Sequence, residues 1–169
     1  AGRDKNGIYE SYYDVDEGAK LKETGSFLND KKSGLWKTYY KSGNIMTEEN
    51  YLEGELVGIS KEFYETGEVS AIGDYKAGLY DVIQYNTYYK NGELKTGLKE
   101  IQDKDSDFYY GTDNYEYVSF YENGKLAYNK DLVKIDMIDF KGEKKKIEVV
   151  KHSSFYEDGQ LKSEYFNSK

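Results

Sequence analysis

The sequence predicts an all-β protein: an elongated meander of repeated antiparallel β-hairpins that forms an open, single-layer twisted sheet. A seven-residue phrase carries this prediction, because repetition at a near-fixed spacing specifies architecture. The phrase runs aromatic, aromatic, charged, small polar, Gly, polar, aliphatic, and its copies begin at Tyr39, Phe63, Tyr88, Phe120 and Phe155. The chain also has 20 tyrosines and no proline, which favours strands. No segment shows the apolar spacing of a helix.

Each copy predicts one hairpin whose turn contains the glycine of the phrase. A type I′ turn needs positive φ at both central residues, which suits neither Ser42-Gly43 nor Thr66-Gly67. A type I turn followed by a left-handed glycine accepts Ser, Thr, Asn or Asp before it. We therefore predict three-residue loops in which Tyr40 faces Asn44 and Tyr39 faces Ile45. The predicted turn glycines are Gly43, Gly67, Gly92, Gly124 and Gly159.

The repeat spacing also predicts the domain organisation. Residues 1–11 are expected to be a flexible lead-in, and residues 12–169 a single repeat domain of about six hairpin units. The first unit is a degenerate copy that starts at Tyr12-Tyr13 and reaches Gly18. Insertions fall near residues 97–117 and 129–150, and the second of them predicts a longer hairpin that turns at Lys141-Gly142.

Strand alternation assigns the repeated residues to two faces. The face that collects the first aromatic of each copy is expected to be the core. It comprises Tyr39, Phe63, Tyr88, Phe120 and Phe155 with Ile45, Val69, Leu94, Leu126 and Leu161.

The opposite face carries the second aromatic of each copy, which is tyrosine every time. A position that always keeps its hydroxyl is expected near water or a hydrogen-bond partner, because burying an unpaired hydroxyl is costly. Two interpretations stay open: a structural tyrosine ladder between hairpins, or an exposed binding surface. The candidate binding residues are Tyr40, Tyr64, Tyr89, Tyr121, Tyr156, Trp36 and Tyr85.

Composition narrows the possible partners. The net charge of −8 disfavours nucleic acid and anionic lipid. No cysteine is present, so disulfides and thiolate metal sites are excluded. No apolar run reaches the length that spans a membrane. The first residue is Ala1 rather than Met, so we expect that the chain has been trimmed. The sequence therefore leaves the location open between the cytoplasm and, after removal of a leader, a site outside it.

No catalytic residue or cofactor is predicted. The single histidine, His152, occupies a strand position that holds Trp36, Ser60, Tyr85 or Tyr117 in the other copies and is usually aromatic. No nucleophile accompanies it at a recognisable spacing. Asp103, Asp105 and Asp107 have the opening spacing of a calcium loop. However, Phe108 replaces the required glycine and Asn114 the bidentate glutamate. Calcium binding is therefore only a weak candidate beside a solvated acidic loop.

The phrase Tyr88-Tyr89-Lys90-Asn91-Gly92-Glu93-Leu94, the lead Gly58 to Tyr64 and the follow-on Tyr75 to Gly78 resemble the bacterial variant of MORN repeats. The resemblance covers roughly residues 12–166, with interruptions, and it is strongest from Gly34 to Leu94. It implies a non-enzymatic scaffold or binding module, and some relatives carry an antitoxin-like label. We expect a protein partner at the tyrosine-rich face. A glycan or cell-envelope ligand and an antitoxin or immunity role are the alternatives.

Overall fold

The structure, a computed structural model, describes residues 5–14, 16, 19–76, 82–100, 115–138 and 140–168. These residues form antiparallel strands and no α-helix, which confirms the predicted all-β fold class. The strands are β1 (Gly7–Tyr12), β2 (Leu21–Leu28), β3 (Lys31–Tyr39), β4 (Ile45–Leu52), β5 (Glu55–Leu56), β6 (Gly58–Phe63), β7 (Val69–Tyr75), β8 (Val82–Tyr88), β9 (Leu94–Glu100), β10 (Tyr115–Phe120), β11 (Leu126–Ile138), β12 (Lys144–Phe155) and β13 (Leu161–Ser168).

The chain divides into two compact units, Ala1–Glu93 and Leu94–Lys169, where a single repeat domain was expected. The strand order of the first unit is β1-β2-β3-β4-β6-β7-β8, and the short β5 pairs with the end of β4. In the second unit the order is β9-β10-β11-β12-β13. Neighbours in sequence are neighbours in the sheet, so each unit is an open meander of hairpins.

The predicted turn is confirmed in the hairpin of β3 and β4. Gly43 N–H donates to the Tyr40 carbonyl over 2.9 Å, Tyr40 N–H donates to the Asn44 carbonyl over 2.8 Å, and Tyr39 pairs with Ile45. The same two backbone bonds recur at each of the other four predicted turns. All five turn glycines have positive φ, between 77° and 102°. A type I turn with a glycine bulge is therefore the repeated local structure.

The first hairpin begins earlier than predicted. Gly7 already pairs with Phe27, so β1 lies mostly inside residues 1–11, where a flexible lead-in was expected. Near its end, β1 shows the same one-residue shift as the other hairpins, with Tyr12 opposite Leu21. Despite its different loop, this hairpin keeps the register of the repeat.

The predicted long hairpin is confirmed, since β11 and β12 pair from Tyr128 and Ser154 out to Ile138 and Lys144. The other insertion falls mainly on residues 101–114, which lie outside the described residues.

The structure corrects the prediction of which sheet face forms the core. Its aromatic residues, including Phe63, Phe120 and Phe155, are only half-buried, and Leu161 is exposed. In the first unit the buried side chains Trp36, Ser60 and Ala71 lie on the opposite face. Gly25 and Gly73 have no side chain, so the rings of Trp36 and Tyr75 can lie directly over them and close to the strands.

On the face predicted to be the core, the structure shows exposed apolar residues instead. Leu35 and Ile59 lie there and are about half exposed, at 49% and 48%. In the second unit the neighbours Val149 and Val150 point to opposite faces by strand alternation. Both are buried. That unit therefore buries apolar surface on both sides of its sheet.

Candidate interaction surface on the tyrosine face

One face of the first unit carries most of its aromatic side chains. Trp36 and Tyr40 share this face by alternation. The pairing of Trp36 with Glu49, of Thr47 with Glu62 and of Gly73 with both Ser60 and Tyr85 extends it across β4 to β8. We call it the tyrosine face; its large side chains include Trp36, Tyr40, Tyr51, Tyr64, Tyr75 and Tyr85.

The tyrosine of each phrase ties its hairpin to the next one. In four hairpins its hydroxyl donates to the carbonyl of the first aromatic residue of the following phrase, reaching past the strand between them. The four bonds run from Tyr13 to Tyr39 (2.7 Å), from Tyr40 to Phe63 (2.6 Å), from Tyr64 to Tyr88 (2.7 Å) and from Tyr121 to Phe155 (3.0 Å). The structural ladder, one of the two interpretations left open above, is therefore present.

These bonds explain why the position keeps its hydroxyl, since phenylalanine could not satisfy the carbonyl. They also correct the expected exposure. Tyr40, Tyr64, Tyr89 and Tyr121 are half-buried, and within the predicted ladder only Tyr156 is clearly exposed, at 52%. In the described part of the chain no acceptor meets the Tyr156 hydroxyl.

Trp36, predicted as part of the exposed surface, is instead the most deeply buried large side chain of the described residues, with 1% of its surface accessible. Its indole covers Gly25, where a Cβ would overlap the ring. Phe27 meets it edge-on at 5.0 Å and Tyr51 at 6.4 Å, measured between ring centroids. The indole N–H donates to the Ser26 carbonyl over 3.1 Å. Trp36 therefore organises a small aromatic core.

A lysine covers the outer side of this core. Lys32 Nζ lies 4.1 Å from the Trp36 ring centroid and 5.0 Å from that of Tyr51. It also forms an ion pair with Glu23 Oε1 at 2.9 Å. The tyrosine face thus already holds one ammonium group between ring faces and a carboxylate, an arrangement that binds cations well.

Next to it lies a second group of rings and carboxylates, which we call the acidic tyrosine cluster: Glu49, Tyr51, Glu62, Tyr75 and Tyr85. The Tyr51 hydroxyl donates to Glu49 over 2.9 Å, and the Tyr85 hydroxyl donates to Glu62 over 3.1 Å. Small residues lie between the rings, since Ser60 and Ala71 are buried and the Tyr75 ring covers Gly73. Among the described residues, no basic side chain pairs with Glu49 or Glu62.

The pKa values of the three tyrosines reflect this setting. Burial raises the pKa of Tyr85 to about 12, with the charge of Glu62 and its hydrogen bond adding to the effect. Burial also raises the pKa of Tyr51, helped by Glu49, and that of Tyr75, helped by Glu62 and Glu49. Both carboxylates therefore help to raise the pKa of Tyr75.

The second unit has its own ring row, and it contains His152. The imidazole stacks on Tyr165 with ring centroids 4.5 Å apart and an angle of 6° between the planes. Its Nδ1 shares a hydrogen bond with the Tyr128 hydroxyl, and Tyr117 packs against Tyr128. His152 therefore occupies an aromatic position of the strand, as predicted from the repeat.

Among the described residues, no group of three or more His, Cys, Asp or Glu side chains is placed to hold a metal ion. The weak calcium candidates Asp103, Asp105 and Asp107 lie outside those residues. In the part of the chain that the structure describes, no helix has the length and apolar character needed to cross a membrane.

The fold and this surface define a class of protein, an antiparallel hairpin-repeat protein in which tyrosine hydroxyls join successive hairpins within each unit. The family model of the MORN repeat variant matches residues 32–53, 56–77, 116–130 and 149–167. The chain thus carries MORN-type repeats. The matches include the copies around Gly43 and Gly67 and omit the one around Gly92, although the resemblance in the sequence is strongest from Gly34 to Leu94. No curated protein matches the chain.

Sequence reasoning named Tyr85 but missed the other members of the acidic tyrosine cluster. A signal was available for two of them, because Tyr51 and Tyr75 each lie eight residues after a turn glycine. Glu49 and Glu62 had no such signal, since charged residues at exposed strand positions are common. Only strand pairing brings the two carboxylates together.

Proposed function

We propose that this protein is a non-enzymatic interaction module that binds a basic segment of another protein at the acidic tyrosine cluster. MORN repeats generally serve as binding or scaffold modules and are typically non-catalytic. The observation that carries the proposal is the pair of carboxylates, Glu49 and Glu62, each held by a tyrosine hydroxyl beside half-buried rings.

The chemistry of the partner follows from the neighbouring lysine site. Lys32 satisfies Glu23 and lies over Trp36. The acidic tyrosine cluster offers the same combination of ring faces and carboxylates, and a lysine or arginine of a partner would complete it. The net charge of −8 would also attract a basic partner and speed its approach.

The ladder tyrosines have a defined part in this proposal. The rings of Tyr40 and Tyr64 would add apolar contact area, while their hydroxyls remain bonded to the backbone. A glycan is supported less well, because Phe27 and Tyr51 meet the Trp36 ring edge-on and do not form a row of parallel faces. An antitoxin or immunity role would be one form of the same proposal, with a basic toxin as the partner.

The test uses a synthetic peptide of alternating lysine and threonine, with a glutamate-threonine peptide of equal length as its control. Binding is measured by isothermal titration, and the site is located by changes in the side-chain NMR signals of the tyrosines. We expect the lysine peptide alone to bind, and Glu62→Gln or Glu49→Gln to weaken it by about tenfold, the loss of one close charge pair.

Glu65→Gln is the matched control, because this exposed turn glutamate lies outside the cluster. Equal weakening by Glu65→Gln would mean non-specific attraction to an acidic surface and would contradict the proposal. A response of the same tyrosine signals to cellohexaose, with none to the lysine peptide, would favour the glycan alternative instead.

A further inference from the structure

The last hairpin of the chain has the same turn bonds and the same phrase tyrosine, Tyr156, as the other hairpins, yet it ends the described sheet of its unit. Its outer strand β13 pairs only with β12 among the described residues. The equivalent hydroxyls of Tyr13, Tyr40, Tyr64 and Tyr121 each reach the next hairpin. The Tyr156 hydroxyl meets no acceptor among the described residues. Among the described residues, this edge therefore resembles an internal junction without a paired hairpin.

A second set of contacts leads to the same conclusion. In two hairpins the side chain just after the turn glycine reaches a carbonyl in the next turn: Asn44 Nδ2 donates to the Glu65 carbonyl at 2.8 Å, and Lys125 Nζ to the Asp158 carbonyl at 2.7 Å. In the last hairpin this position is Gln160, whose exposed amide group could donate in the same way.

The opposite kind of edge occurs at β1. In each described ladder bond the acceptor is the residue before a ladder tyrosine, and Tyr12 holds that place before Tyr13. Among the described residues β1 pairs only with β2, so its other edge is open. β1 therefore has the register of an incoming strand and a carbonyl at the acceptor position.

We propose that the outer edge of β13 receives strand β1 of a second copy of this chain, antiparallel and in the register of the internal hairpin junctions. At those junctions the fourth residue after a turn glycine pairs with the residue two before the next ladder tyrosine, as in Thr47 with Glu62 and Ala71 with Thr87. The rule pairs Ser163 with Ser11 of the second copy. Tyr156 then donates to the carbonyl of Tyr12 of that copy.

The side chains brought together by this register are complementary at two of three positions. Tyr165 would lie opposite Tyr9, and Phe166, 47% exposed, opposite Ile8, 84% exposed. Glu164 would lie opposite Glu10, and this like-charge pair opposes association. The contact is head-to-tail, so it leaves one free edge of each kind and allows further copies to add.

The test measures the mass of the 169-residue chain by sedimentation equilibrium over a concentration series reaching about 1 mM, the range of weak complexes. We expect Glu10→Lys, which turns the like-charge pair into an attractive one, to strengthen association at least tenfold. Glu65→Lys changes the net charge equally at a position away from both edges and should leave association unchanged. If both the wild-type chain and Glu10→Lys stay monomeric over the whole concentration series, the proposal is overturned.

A mixing experiment fixes the polarity. Ile8→Lys places a charge on the β1 edge, and Phe166→Lys places one on the β13 edge, so each removes the apolar contact at that edge. Both side chains are exposed enough for the fold to tolerate the change. Each variant alone should be monomeric, whereas the mixture should form a complex of one copy of each, because one intact edge of each kind remains. Dimers of Ile8→Lys alone would show pairing of β13 with β13 and would overturn the head-to-tail arrangement.

Discussion

The hydroxyl of Tyr64 lies 2.7 Å from the carbonyl oxygen of Tyr88, so that one side chain connects two consecutive hairpins across the strand between them. Backbone pairing already joins adjacent strands within each unit. The hydroxyl adds a bond to the strand beyond, which resists slippage of one hairpin along the other. Tyrosine supplies both the reach and the donor, and neither phenylalanine nor serine supplies both.

Tyr64→Phe should lower the free energy of unfolding by about 1 kcal/mol, since it leaves a half-buried carbonyl without its donor. Tyr156→Phe is the matched control, because the Tyr156 hydroxyl has no partner among the described residues. The measurement is urea unfolding of the chain at a concentration low enough to keep it monomeric. Equal losses in the two variants would show that the Tyr64 bond adds nothing to stability.

Gly67→Ala should destabilise by more than about 1 kcal/mol through backbone strain alone. Its φ is 102°, and an added Cβ would meet no atom within 4 Å. Far-ultraviolet circular dichroism during thermal unfolding gives the loss, and the fluorescence of Trp36 in the folded state should not change. A neutral substitution would contradict the strained conformation at this turn.

Gly25→Ala should destabilise for a different reason, by about 1–3 kcal/mol, because the new Cβ would overlap the indole of Trp36. The ring must shift, so we expect a change in Trp36 fluorescence of the folded protein that Gly67→Ala does not produce. An unchanged emission spectrum together with full stability would show that the indole does not lie over Gly25.

Trp36→Ala should cost about 3–5 kcal/mol, the range for a fully buried large aromatic side chain. Phe63→Ala should cost clearly less, since Phe63 is only half-buried and part of its surface already meets water. Chemical unfolding of the two variants side by side compares the faces directly. A larger loss for Phe63→Ala would restore the face first predicted from the sequence as the core.

Alkaline pH should remove stability that depends on neutral Tyr85. Its pKa is about 12 in the folded protein and near 10 in the unfolded chain. The folded state therefore favours the protonated form, and the stabilisation is complete below pH 10 and is lost as the pH rises from about 10 to 12. Ultraviolet absorbance of tyrosinate follows the titration.

Glu62→Gln gives the control for this pH dependence. It removes a charge and keeps a hydrogen-bond acceptor, so the pKa of Tyr85 should fall partway toward 10 while burial keeps it raised. An unchanged titration in Glu62→Gln would show that Glu62 does not act on Tyr85.

Local chemistry made the hairpins predictable. The order of Lys41, Ser42 and Gly43 determines the turn type, and the turn type determines that Tyr39 pairs with Ile45. Each of these steps involves residues close in sequence. The fold class and the register could therefore be derived from the repeated phrase alone.

The core face could not be derived in the same way. Counting apolar residues favoured the face of Phe63 and Val69, because phenylalanine and valine are more apolar than tyrosine. Burial is instead decided by room next to the strand, which Gly25 gives to Trp36 from another hairpin. That relationship joins residues on paired strands, and the phrase contains neither of them. The same holds for Glu49 and Glu62, which meet only through pairing of β4 with β6.

Trp36 is the only tryptophan of the chain, and it lies in the first compact unit. Its emission therefore reports the opening of that unit alone, whereas circular dichroism reports strands in both. Denaturation curves recorded with the two signals would coincide if the units open together and would separate if they open in turn. The position of a single indole thus gives a natural optical label for cooperativity between the two units.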